Sequence, residues 1–426
     1  VVDTCDQCHA GQIPDIPQTV AEAHNGATTE RGGIIWNGVD TAVEEGKKFE
    51  WEITSVVDDG TNLTITWQAS YNTVGVDPCN ATVGVGAPVF FVGNTMRFYR
   101  SYAQGDDFII GASTSSPGQP ANVTLTLDEP AGSGNTTCAS NIATTVIPVD
   151  AIVAEKGRLA LGGKPRVLSE DNNELTVSAR VPSPTFDWEV GVGTQVARRA
   201  IVDTGECLKC HVGSLYQHGG DRVDNVDMCL VCHNAASNEK NVRVTTMGID
   251  VPADTYDGRS GQTFEMKSML HRIHSAGVEG QPPLVIYRGR GVYAFAPDRS
   301  GLANWPGEGD QVVFGSTLDN DGLPGSFVTN HHFHAPTFPR AVNDCAACHV
   351  AGSVDFAPDQ TKAMASTDDA GGTDYADQTD DLLQGATTTA CVTCHASGPA
   401  KGHAYQNSWE PQEFPEGRQT IIDAVK

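Results

Sequence analysis

The stretch GECLKCHVG, residues 205–213, holds two cysteines with two residues between them and a histidine directly after the second: Cys207, Cys210 and His211. Outward from there, the Cys-x-x-Cys-His pattern recurs at Cys229/Cys232/His233, Cys345/Cys348/His349 and Cys391/Cys394/His395, and once far upstream at Cys5/Cys8/His9. Ten of the 12 cysteines are thereby accounted for. A single copy reads equally well as a redox dithiol or as half of a zinc site, neither of which requires that histidine. Five copies that each carry it point to covalent haem attachment. Each thiol adds across one vinyl group, and the histidine lies under the iron as an axial ligand. The expected cofactors are five haem c, with proximal ligands His9, His211, His233, His349 and His395.

The composition agrees with that reading. The chain has 426 residues, enough for about three domains, yet only 39% are hydrophobic, and 45 Gly and 23 Pro mark many turns. Five large apolar macrocycles supply core that side chains do not. The haem-bearing part is therefore expected to be loop-rich, with few short helices. A net charge of −26 argues against nucleic acid and against an anionic membrane surface as partners. No apolar run approaches the roughly 18 residues of a membrane span. Nor does the chain open on a signal peptide, so Val1 is read as following a cleavage site.

Between His9 and Cys207 no haem motif occurs, and the patterning changes. Phe49, Trp51 and Ile53 alternate with polar residues, as do Leu63, Ile65, Trp67 and Ala69. Val123, Leu125 and Leu127 repeat the alternation, followed by Leu175, Val177, Ala179 and Val181. Period-two runs between Gly, Asn, Asp and Pro clusters indicate antiparallel strands with one buried face. The expected fold is mainly β: an antiparallel β-sandwich or Greek-key barrel over residues 31–195, preceded by a single-haem segment, 1–30, and followed by a haem-cored tetrahaem domain, 196–426. The two remaining cysteines, Cys79 and Cys138, lie in the β region. They are read as a disulfide, because haem attachment implies an oxidising compartment.

Only one helix stands out downstream. In FEMKSMLHRIH, Met266, Met269, Leu270 and Ile273 follow helical spacing, and His271 and His274 lie one turn apart on nearly one face. The acidic, Gly-rich stretch from Ser366 to Asp381 reads as a solvated loop. Of 13 histidines, eight remain after the motifs: His24, His218, His271, His274, His331, His332, His334 and His403. A neutral imidazole is a good sixth ligand to iron, so eight candidates can cover five sites. His218, His271 and His274 lead, followed by His403 and His24. Of the NHHFH cluster one or two are expected to ligate, with His332 and His334 on a common side if the segment is extended. Doubly ligated iron has no open position for substrate, which favours electron transfer over catalysis.

The order ARRAIVDTGECLKCH, QHGGDR, CLVCHNA, MKSMLHRIH, FPRAVNDCAACH and TTTACVTCHASGPAKGHAYQN, across residues 197–410, resembles the outer-surface multihaem cytochromes of the OmcA/MtrC type. The resemblance implies a β domain before a haem domain, extracellular or cell-surface placement, and electron delivery to metal oxides or shuttles with redox partner cytochromes. It also implies distal roles for His218, His271 and His274. Such proteins usually carry ten haems in two domains, whereas one haem domain is legible here, with its fifth motif displaced to Cys5–His9. Two assemblies fit that displacement. In one, the N-terminal haem of one copy docks on the next, giving a head-to-tail filament; in the other, the segment folds back on its own chain. A multihaem reductase of a small nitrogen or sulfur oxyanion, with one open iron, is the enzymatic alternative; a monomeric surface metal reductase is another.

Overall fold

The computed structural model describes residues 27–28, 34–36, 39–79, 96–104, 108–111, 119–128, 131–168, 176–211, 214–218, 220–235, 237–239, 242–243, 255–259, 263–288, 291–306, 312–313, 328–336, 338–353, 365–369, 381–384, 386–395 and 397–407. The chain divides into two units, Val1–Arg100 with Ala121–Cys229, and Ser101–Pro120 with Leu230–Lys426.

The first unit is built on the hairpin of β1 (Phe49–Asp58) and β2 (Asn62–Tyr71). Its turn is set by two aspartates and a glycine. Asp59 Oδ1 accepts from the backbone of Thr61 at 2.8 Å and of Asn62 at 2.7 Å, and Gly60 takes a φ of +80°, which a side chain would disfavour. The alternation seen in the sequence becomes burial: Leu63, Ile65 and Trp67 are fully enclosed, with Phe49, Trp51 and Ile53 beside them. After Ile53 a register shift re-aims β1, so that Val56 and Asp58 are its next inward residues.

The hairpin lies in an open sheet of order β5-β6-β2-β1, where β5 is Thr136–Ala139 and β6 is Ile142–Pro148. In a second sheet β7 (Lys156–Gly162) pairs with β8 (Thr185–Glu189), and Arg97–Arg100 pairs with Ala121–Thr124. Side chains from the two sheets meet. Trp67 stands edge-on to Phe98 at 6.4 Å, and Trp188 Nε1 donates to Asp58 Oδ2 at 3.2 Å. Gly157 lies against the Trp188 ring so closely that a Cβ would come within 2.3 Å of it. Among the described residues, two open antiparallel sheets rather than a closed barrel therefore enclose the core of this unit. Cys79 and Cys138 are joined as a disulfide with Cα atoms 5.8 Å apart.

The first unit also takes in residues beyond 195. Ser183 exchanges hydrogen bonds with Val223, and Asn225 Nδ2 donates to the Ser183 carbonyl at 2.7 Å. Arg158 reaches Asp187 through two bonds and Asp227 through a third, all of 2.6–2.7 Å. These ties bring α1 (Thr204–Leu208) and the start of α2 (Val226–Cys232) into the first unit.

The second unit is made of shorter pieces. A hairpin of β9 (Leu284–Arg288) and β10 (Gly291–Phe295) is extended by β11 (Val328–His334), which runs parallel to β10. Tyr256, Val285, Tyr287, Val292, Ala294 and Leu302 form a buried cluster on it. Beside them the Arg243 guanidinium is enclosed with Glu239 and Asp257, bonds the Val285 carbonyl at 3.1 Å and lies 4.4 Å from the Tyr287 ring centre. The helix found by periodicity is α3 (Met266–Ser275), begun by Glu265, whose carboxylate accepts from the Ser268 backbone.

Two further helices, α4 (Ala386–Cys394) and α5 (Gly398–Asn407), were not legible in the pattern. The first is ATTTACVTC, rich in β-branched residues that disfavour helix. Its threonines compensate by packing inward: Thr388, Thr389 and Thr393 are buried, and Thr393 Oγ1 donates to the Thr389 carbonyl at 2.6 Å. The expected loop from Ser366 is also partly ordered into sheet, since Ala365–Asp369 pairs with Asp381–Gln384.

Candidate haem-binding site

Three of the motifs share one local geometry. The backbone N–H groups of His211, His349 and His395 donate to the carbonyls of Cys207, Cys345 and Cys391, each at 2.9 Å. Each motif is thus one helical turn, which sets the first cysteine and the histidine on a common face. The turn at Cys207 is begun by Asp203, whose Oδ1 accepts from Gly205 at 2.7 Å. The fourth motif lies at the end of α2. Cys5, Cys8, His9 and His24 lie outside the described residues.

Helix α3 is where separate motifs meet. The His271 ring lies 6.2 Å from the ring of His349, centre to centre, and the planes are tilted by 37°. Metal–imidazole bonds of about 2 Å on opposite sides of one metal put ring centres roughly 6 Å apart, so this pair fits the two axial positions of one haem. Burial is the largest influence on His271 and, with His349 next to it, holds its pKa down to about 4. The imidazole is therefore neutral, the form that ligates.

The same helix reaches two other motifs. At its start, the Met266 backbone donates to the His233 carbonyl at 3.0 Å. His233 Nδ1 is 2.8 Å from the Phe264 carbonyl, which orients the ring so that Nε2 is the nitrogen that could ligate a metal. At its end, Ser275 Oγ lies 3.8 Å from Cys394 Sγ, and Gln281 Nε2 donates to the Cys394 carbonyl at 3.2 Å. His274 Nδ1 is held 2.8 Å from the Leu270 carbonyl in the same manner as His233, and its ring abuts Phe338. Sequence reasoning named these histidines but not the carbonyls that orient them, since backbone acceptors leave no residue-type signal.

The NHHFH cluster lies on β11, and the extended backbone splits it. Tyr256 Oη and His331 Nε2 are hydrogen-bonded at 2.9 Å, and burial pushes the Tyr256 hydroxyl up to about 12, so the phenol stays the donor. His331 is thereby committed to the aromatic cluster with Trp305. His332 and His334 share the other side, their rings 6.5 Å apart and nearly parallel, stacked on Tyr293 and Phe295. His218 is exposed at a φ of +55°, in the turn joining Tyr216–Gln217 to Arg222–Val223. His403 is exposed on α5.

Residues 199–420 match the family described as outer membrane cytochrome MtrC/MtrF-like, domains II/IV. Among solved structures, the outer membrane decaheme cytochrome OmcA is similar at 16% identity and a TM-score of 0.39, over 82% of this chain and 44% of that one. MtrC from Shewanella baltica OS185 is similar at 14% identity and a TM-score of 0.35, over 56% of this chain and 40% of that one. The chain thus spans less than half the length of either structure. No curated protein matches it.

Proposed function

Because this chain belongs to the outer membrane MtrC/MtrF-like cytochrome family, we propose that it is an extracellular electron carrier that passes electrons through five haem c, each iron held by two histidines. The observation that carries the reading is the His271–His349 pair at 6.2 Å, on a helix that also touches the motifs ending in His233 and His395. Cys345, Cys348 and His349 would attach one haem, with His271 as its second axial ligand. His274, one turn on, is the candidate for a neighbouring haem, and His218, His403, His24, His332 and His334 are candidates for the others. Bound haem c supplies a one-electron iron couple. The chain's own part is to fix the rings of His233 and His274 in place through the carbonyls of Phe264 and Leu270 and to keep the motifs close together.

As functional segments, residues 1–30 would carry a single haem, 31–195 serve as scaffold, and 196–426 carry four. The Cys79–Cys138 disulfide suits the oxidising compartment in which haem is attached. Among the described residues no helix is long and apolar enough to cross a membrane. The proposed partners are redox cytochromes and external acceptors such as metal oxides or shuttles. A second copy, joined head to tail through the segment bearing Cys5, Cys8 and His9, is the finer proposal. Electron microscopy of the haem-loaded protein tests it: uniform filaments support it, and discrete particles at working concentration remove it.

Electron paramagnetic resonance of the oxidised protein tests the main reading. Only low-spin ferric signals are expected, and His271→Ala should convert one haem to high spin. A high-spin haem in the unaltered protein would instead indicate an open iron and favour the oxyanion reductase.

A further inference from the structure

Resting on the electron-transfer reading and deepening it, we propose that Lys267 raises the reduction potential of the haem between His349 and His271, with Glu265 as the counter-charge that limits the effect. Lys267 lies four residues before His271 on α3, so both side chains rise from one helix face, at a Cβ separation of roughly 6 Å. Its ammonium is not loose in solvent. Nζ is 2.7 Å from Glu265 Oε1, in a pair whose side chains are 20% and 6% exposed. Glu265 is fixed in turn by accepting from the Ser268 backbone at the helix start.

Adding an electron to the iron removes one positive charge, so a nearby fixed cation favours the reduced state and a nearby carboxylate the oxidised one. At separations of several ångströms in a partly buried site, such charges act far more strongly than in bulk water.

The setting gives the pair its significance. A chain of net charge −26 biases every haem towards the oxidised state. A half-buried lysine on the helix face of His271 opposes that bias at this haem. The pair's spacing suits this role better than helix support, because residues two apart do not face each other on a helix. Glu265 meets Lys267 only because it stands outside the first turn.

The test is a potentiometric titration of the full haem-loaded chain, followed by electron paramagnetic resonance. Lys267→Met should lower the midpoint of one low-spin haem while its g-values persist. Lys267→Arg should leave that midpoint close to the original, and Glu265→Gln should move it upward. Opposite shifts from the two neutralisations are what a charge effect requires and a packing defect does not produce. The proposal is overturned if Lys267→Met leaves every midpoint in place with the spectrum intact, or if both neutralisations shift the midpoint the same way. A high-spin ferric signal from this site in the unaltered protein overturns the two-histidine reading beneath it, a result distinct from unmoved midpoints.

Discussion

The two units solve the problem of an interior in different ways. In the first, Leu63, Ile65, Trp67, Phe98, Leu125 and Trp188 are almost wholly enclosed between two sheets, and the core consists of ordinary side chains. In the second, the buried aromatic cluster around Tyr256 and Tyr287 serves one sheet, while α3, α4 and α5 are short and carry half-buried or exposed histidines and cysteines. A ten-residue helix is marginal without an apolar face to bury. On the proposed function, the contrast means that the sheets of the first unit need no haem to hold them, whereas the helices of the second would depend on groups attached to its cysteines.

The largest expected effect follows directly. If the chain is produced without haem attachment, amides of β1 and β2 should stay protected from hydrogen exchange while those of α3, α4 and α5 exchange freely. Equal protection in both units would break the comparison. Next in size is the double replacement of Cys79 and Cys138 by serine. The bridge closes a sequence separation of 59 residues, for which loop entropy gives about 4 kcal/mol. Denaturant unfolding of the sandwich should register that loss, with haem spectra unchanged.

A similar but smaller loss, about 3 kcal/mol, is expected for Arg243→Leu. It leaves the buried carboxylates of Glu239 and Asp257 without their shared cation. Because Arg243 serves the side-chain core of the second unit, thermal unfolding of its β9–β10–β11 sheet should respond even in haem-loaded protein. A null result would mean that haem alone holds that unit. The smallest effect belongs to Asp203→Ala, which removes the cap of α1 and should cost about 1 kcal/mol. Local exchange at Gly205 and Glu206 is the sensitive readout.

Much of this was legible beforehand, for identifiable reasons. Covalent haem attachment needs a fixed set of residues at a fixed spacing, so the motifs declare themselves wherever they occur. Period-two burial in β1 and β2 is equally plain, because a sheet with one wet face must alternate. The ties of Val223, Asn225 and Asp227 to the first unit were not legible, since the bonds of Ser183, Asn225 and Arg158 that make them join residues far apart in sequence. Helix α4 was missed because its threonines are stabilised by burial and back-bonding, which local propensity does not register.

The site divides along the same line. Sequence alone determined which residues can attach haem and which imidazoles are available to complete it, because those depend on residue chemistry and short-range spacing. Only the tertiary structure decided that His271 faces His349, that His331 is taken up by Tyr256 while His332 and His334 stack on the other side of β11, and that one helix touches three motifs. Those outcomes depend on which distant segments pack together, and a one-dimensional pattern carries no record of that choice.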